Sequence, residues 1–328
     1  PPRSTLFPYT TLFRSIKTEA DGVVIINLAP ATGMRGTLTI RPKSVAYLRL
    51  SKDDTGIKSG VELIAGQIGS KMGKLSGNPS FSVNTETVAM GVRGTAFTVA
   101  TSVNGSVLIT CTEGQVSATD GAVTLAVPAG KAVERKPSDR LKLLAVAISS
   151  AEDFERRWIA EEIEAFKANA PRALAAYEAR YRDLRDRFNE RFEPLQKSEI
   201  LAKWLQEDAA GLVPRPNDAA TLREKRDMAP RILEIRKVLF IFERIYYRID
   251  QIEGIILGTP LERAELRPGL SAGDFLRSFR SEAPALARRI ALFRQAERLY
   301  ALRNEGGAGL PGIGGDDGFF GSSEGWDF

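Results

Sequence analysis

Thr87-Val-Ala-Met-Gly-Val-Arg-Gly-Thr-Ala-Phe-Thr-Val99 decides how the first half of this chain is read. Apolar residues stand on both sides of Arg93-Gly94, and beyond that break Phe97 and Val99 alternate as the inward residues of a strand do. A charged residue and a glycine inside an apolar run imply a sharp turn within a core. Arg93, between Val92 and Gly94, is expected to be half-buried and paired or bonded to backbone carbonyls, because a desolvated guanidinium is costly without partners. Gly94 is expected to supply a backbone shape that a Cβ would obstruct. The expected role of the pair is to fix the turn rather than to hold a ligand.

Outward from this stretch, residues 16–136 read as β structure. Val23-Val-Ile-Ile-Asn-Leu28 is a buried-type run, followed by Thr37–Ile40 and Val45–Leu50 with Pro42 between them. After Phe97 and Val99 comes Asn104-Gly105, a strong hairpin signal because a type I′ turn needs positive φ at both central residues. Val107, Ile109 and Cys111 then share one face. Glu113-Gly114 ends that strand, and Asp120-Gly121 marks a further hairpin into Val123, Leu125 and Val127. Short strands at roughly 8–12-residue spacing predict an antiparallel roll, sandwich or barrel.

The second half reads differently. Residues 137–150 are expected to be a linker, and Ser149 with Glu152 has the spacing of a capping box at a helix start. From 151 to 305 apolar residues recur at threes and fours. The first stripe runs Ile159, Ile163, Phe166, Ala170, Leu174, Tyr177, Tyr181, Leu184, Phe188 and Phe192, with Pro171 expected to kink or break it. Further helices are expected at about 198–210, 218–257 and 271–304. The fold class predicted is therefore α+β in two segregated parts, an antiparallel β domain followed by an elongated all-α bundle. These helices are expected to pack on each other rather than form a coiled-coil arm for a partner.

The two ends are set apart. Thr5–Ser15 looks like translated sequencing adapter, so residues 1–15 are read as a non-native leader, with the native N-terminus and any signal peptide or anchor lying outside this sequence. Residues 306–328 are glycine-rich and acidic and are expected to be disordered. Their terminal Trp326 and Phe328, like Tyr246 and Tyr247 on a long helix, are candidate partner contacts.

Composition narrows the chemistry. The chain has 328 residues, 43% hydrophobic and 27% charged, with a net charge of +5. The leader adds positive charge and the tail adds negative charge, and the remainder is spread over helices rich in both signs, which does not suggest nucleic acid. There is no histidine and one cysteine, Cys111, so the commonest general base, an intrachain disulfide and a thiolate metal site are all missing. No apolar run is long enough to span a bilayer. Gly69-Ser-Lys-Met-Gly73-Lys74-Leu75 has the wrong glycine spacing for a phosphate loop, and Leu75 stands where a Mg²⁺-binding hydroxyl is needed. No catalytic residue, metal or cofactor is expected.

The β part resembles the FecR domain family. The residues that carry the resemblance are Gly66-Gln-Ile68, Phe81-Ser-Val83, Thr87, Val92-Arg93-Gly94-Thr95 with Phe97 and Val99, then Glu113-Gly114-Gln-Val116, and finally Ala129-Gly130 with Val133. The resemblance implies a bacterial β domain in the periplasm or at the cell surface. Founding members are membrane regulators whose periplasmic part receives a transporter's signal while a cytoplasmic part controls a sigma factor. Other members place the domain beside repeat or helical modules. The function expected is non-catalytic binding, sensing or scaffolding through a protein partner or an envelope component. The alternatives are the periplasmic part of a sigma-factor regulator and, further off, a cell-wall hydrolase.

Overall fold

The structure, a computed structural model, describes residues 12–28, 35–53, 56–73, 80–92, 94–212 and 218–303. Arg93, Trp326 and Phe328 lie outside the described residues, as does the tail from 304 onward. The chain divides into two compact units at Asn169/Ala170.

The first unit opens with β1 (Leu12–Lys17), β2 (Val24–Leu28), β3 (Gly36–Ile40), β4 (Val45–Asp53), β5 (Gly56–Ala65), β6 (Gln67–Met72) and β7 (Ser80–Asn84). It continues with β8 (Ala89–Val92), β9 (Ala96–Thr101), β10 (Val107–Glu113), β11 (Gln115–Thr119), β12 (Thr124–Pro128), β13 (Lys131–Arg135) and β14 (Lys142–Ala145). Among the described residues these form two seven-stranded sheets, ordered β1-β4-β5-β7-β8-β11-β12 and β14-β13-β10-β9-β6-β3-β2. Pairing is antiparallel except between β5 and β7, which run parallel. The chain repeatedly lays consecutive strands in one sheet and then crosses to the other.

Both sheets contribute to one apolar core. Val61, Leu63, Val83, Met90 and Val116 from the first meet Leu38, Ile68, Phe97, Val99, Ile109 and Val133 from the second. Strand alternation explains the choice, since every second residue faces inward. Burying each such side chain stabilises the fold by about 1.5–3 kcal/mol before entropy is counted. The expected antiparallel β domain is thus a sandwich.

Several local expectations change. Residues 137–150 are not a plain linker, because β14 extends the second sheet by pairing with β13. Strand β1 reaches back to Leu12, into the stretch set aside as leader, and pairs with β4. That pairing makes β1, rather than β4, the edge of the first sheet. The Asn104-Gly105 hairpin joins β9 to β10 as expected, but through a longer loop in which Gly105 alone has positive φ. Ser102 Oγ accepts from the Asn104 and Ser106 amides and holds that loop. The Asp120-Gly121 hairpin joins β11 to β12, with Asp120 Oδ1 accepting from Ala122 and Val123.

This unit closes with α1 (Ala151–Ala168), which begins after a short 3₁₀ turn. Ser150, not Ser149, stands at its N-cap and makes no side-chain cap; its hydroxyl donates to the Ala147 carbonyl instead. The buried residues of α1 are Ala151, Glu155, Trp158, Glu162 and Phe166. Ile159 and Ile163, expected on the buried stripe, are half-buried.

The second unit contains α2 (Ala170–Gln196), α3 (Glu199–Ala209), α4 (Ala219–Ile256), a two-stranded ribbon β15 (Glu265–Arg267) and β16 (Leu270–Ser271), and α5 (Ala272–Leu302). Pro171 falls in the first turn of α2, where its missing N–H costs nothing, so the expected break occurs at Asn169. Ser198, Asp218 and Ser271 cap the next helices by accepting from Leu201, Ala220 and Asp274 amides. At 1.5 Å per residue the 38-residue α4 is about 57 Å long. The core of α2, α4 and α5 is aromatic, with Tyr181 against Phe242, Phe275 and Phe279, and Phe188 stacked on Phe192 and Phe242. It also buries charge: Glu297 pairs with Arg236 at 2.9 Å and Arg294 at 2.8 Å, and Arg294 also binds the fully buried Glu243.

Candidate functional site: the sheet-crossing corners and the helix seat

The glycine motifs among the residues that carry the family resemblance sit where the chain crosses between sheets. Val92 ends β8 in the first sheet, and Ala96 begins β9 in the second, so the chain crosses between the sheets from Val92 to Ala96. Glu113-Gly114 returns the chain to the first sheet, and Ala129-Gly130 takes it to the second again. Gly66 makes the crossing from β5 to β6.

These corners touch. A Cβ on Gly114, which has φ +73°, would stand 2.6 Å from the Gly94 carbonyl oxygen and 2.9 Å from Thr95 Cγ2. The Gly114 carbonyl accepts from the Ala129 amide at 3.0 Å, and the Cys111 carbonyl accepts from the Gly130 amide at 3.0 Å. Gly66, at φ +92°, is packed so that a Cβ would lie 2.3 Å from Ser44 Oγ, which itself accepts from the Gln67 amide at 2.9 Å. Left-handed backbone at close quarters is what glycine alone provides.

The side chains of the corners are structural in placement. Val92, Thr95, Phe97 and Val116 are buried. Glu113 is exposed and pairs with Lys71 at 3.2 Å. Cys111 is buried, and burial pushes its thiol pKa up, which suppresses the thiolate. Of the candidate partner contacts on the long helix, Tyr246 is instead a core residue, 4% exposed, donating to the Ala283 carbonyl at 3.1 Å. Tyr247 is half-buried, with its ring edge-on to Tyr246.

The feature that periodicity did not reveal is the seat of α1. The helix lies on the outer face of the second sheet, opposite the sandwich core, where Ala100, Leu108 and Ala132 meet Val146, Ala151 and Trp158. Trp158 Nε1 donates to Glu134 Oε1 at 2.7 Å. Ser102 Oγ donates to Glu162 Oε2 at 2.7 Å, and Asn104 Nδ2 donates to the same oxygen at 3.0 Å and to the Glu162 carbonyl at 2.8 Å. Gln67 Nε2 donates to Glu155 Oε2 at 2.8 Å. Glu155 is 3% exposed, and burial raises its pKa against the opposing influence of nearby Arg41 and the Thr98 and Thr110 hydroxyls. Trp158 was the available signal, a large aromatic whose helical neighbours at three and four positions are Glu155 and Glu162.

Among the described residues no group of histidine, cysteine and carboxylate side chains could hold a metal ion, and no helix is long and apolar enough to cross a membrane. The buried carboxylates on α1 face protein donors rather than an open cleft.

Residues 15–117 match the family described as FecR protein. Two crystal structures of a candidate anti-sigma factor from Parabacteroides distasonis ATCC 8503 also align with the chain. The one at 2.50 Å resolution is 13% identical with a TM-score of 0.36, covering 42% of this chain and 62% of that one. The one at 1.65 Å is 12% identical with a TM-score of 0.36, covering 43% of this chain and 64% of that one. The chain thus spans less than two thirds of the length of either. No curated protein matches it. The crossing corners, with their interlocked glycines, lie largely within the segment that matches the FecR protein family.

Proposed function

We propose that this chain is a non-catalytic binding module of a bacterial cell envelope, acting in the periplasm or at the cell surface through a protein partner or an envelope component. The observation that carries this reading is the FecR match over 15–117. Two features support the non-catalytic part. The described motif residues are spent on crossing corners and on the sandwich core, and the buried glutamates of α1 are engaged by Gln67, Ser102 and Asn104. A cell-wall hydrolase of the two-carboxylate kind needs its acids across a substrate cleft, and these are closed under a helix.

The same family match favours a second reading by resemblance, the extracytoplasmic part of a sigma-factor regulator. One pair of experiments separates the readings. Alkaline phosphatase fused to the C-terminus of the native gene product is active only beyond the cytoplasmic membrane; an inactive fusion that is nonetheless expressed overturns both. Deleting the gene and sequencing transcripts then distinguishes them. A single coherent regulon changing supports the regulator, and an envelope defect without one supports the binding module.

A further inference from the structure

Among the described residues the two sheets of the sandwich end on β1 and β12, and on β14 and β2. An edge strand offers unpaired amides and carbonyls to a further strand unless charge, proline or shortness blocks it. Strand β1 carries Arg14 and Lys17, and β12 ends on Pro128. Strand β14 exposes Leu143 but is only four residues long and opens with Lys142. Strand β2, Val24-Ile-Ile-Asn-Leu28, has no charge and no proline and pairs with β3 without a bulge. On its outer face Ile25 is 62% exposed, and Val23, just ahead of the strand, is 53% exposed. Its inward residues Val24, Ile26 and Leu28 are half-buried, whereas Ile40 and Leu38, opposite Val24 and Ile26, are buried.

The direction of its backbone groups follows from the neighbouring strands. The Gly73 amide donates to the Arg35 carbonyl at 2.8 Å and the Arg41 amide to the Gln67 carbonyl at 3.0 Å, in the register that pairs β3 with β6. Odd-numbered residues of β3 therefore bond toward β6, and Gly36, Leu38 and Ile40 bond toward β2. Their partners Leu28, Ile26 and Val24 direct their amides and carbonyls into the sheet. Those of Ile25 and Asn27, with Val23 just ahead, point away from it.

We propose that β2 is a dimerisation edge, on which a second copy of this chain lays its own β2 antiparallel about a two-fold axis at Ile25. Self-complementarity identifies the occupant. In this register Ile25 faces the same residue of the second copy and Val23 faces Asn27, and the outward amides and carbonyls of these residues bond each other. Val24 faces Ile26, so the half-buried inward residues also cover one another. Every residue across this seam is uncharged, so no like charges meet. The contact is isologous, so it occupies β2 in both copies and closes at two. This inference does not depend on the envelope reading above.

Sedimentation velocity of the full chain over a concentration series tests the edge, and a monomer–dimer equilibrium is expected. Ile25→Lys changes an exposed position and sets like charges together at the axis. It is expected to weaken the dimer by about tenfold or more. Ile25→Pro removes an amide that points away from the sheet, which an edge strand tolerates, and is expected to abolish the dimer. Both variants should keep the urea midpoint of the dilute parent. Leu143→Lys, on β14, should dimerise as the parent does. A parent that stays monomeric throughout the series would overturn the proposal and leave β2 to another occupant. A dimer that persists unweakened in Ile25→Lys, or that is lost equally in Leu143→Lys, would also overturn it. Should Ile25→Pro not fold, Ile25→Lys decides alone.

Discussion

The two faces of the second sheet are made by the same strands and hold their neighbours by different means. The inner face is apolar throughout β9 and β10, with Phe97, Val99, Val107, Ile109 and Cys111 closing on the first sheet. The outer face has a small apolar centre of Ala100, Leu108 and Ala132, ringed by Gln67, Ser102, Asn104, Thr110 and Glu134. Hydrophobic burial is non-directional, so the inner face makes a stable sandwich of whatever packs well. The outer face selects one helix in one register, because Trp158, Glu155 and Glu162 each need a named partner and a misplaced polar group there is penalised. Stability comes mainly from one face and specificity from the other.

The largest effect should come from the inner face. Phe97→Ala is expected to destabilise the first unit by about 4 kcal/mol through lost burial and a residual cavity, read as a lower urea midpoint. Trp158→Ala should cost about 3 kcal/mol, since it empties the outer seat and leaves Glu134 without its donor. Hydrogen exchange should show the loss first in 151–168. A change near zero for Trp158→Ala would mean that α1 is not seated on this sheet. Gly114→Ala should cost about 2 kcal/mol, from left-handed backbone and the close approach to Gly94. Because Gly114 joins the two sheets at a corner, its cost should appear as global unfolding and not as local opening of α1.

This contrast also accounts for what could be read from the residues beforehand. The inner face follows period-two alternation, so Phe97 and Val99 and the hairpin at Asp120-Gly121 were legible, as were the stripes of α2, α4 and α5. The chain crosses between the sheets after Val92, where a turn at Arg93-Gly94 was expected, and Arg93 itself lies outside the described residues. Its glycine's contact with Gly114 was not legible, since it depends on the meeting of two corners distant in sequence. The seat of α1 was hidden for a related reason. Periodicity selected Ile159 and Ile163 as the buried stripe, because glutamate is ordinarily a solvent-facing residue. The buried face is rotated toward Ala151, Glu155, Trp158, Glu162 and Phe166, where donors on the sheet make the acids acceptable. Strand β14 escaped notice because Lys142-Leu-Leu-Ala145 is a mostly exposed edge, and only pairing with β13 makes it a strand.

The central claim is that α1 belongs to the β unit and that the chain divides after it, at Asn169/Ala170 rather than in 137–150. Limited proteolysis of the intact chain, with fragment ends assigned by mass spectrometry, tests this most directly. The expected result is a resistant N-terminal fragment that retains Trp158 and ends near Asn169. A resistant fragment ending within 137–150, with α1 released or carried by the helices that follow, would contradict it.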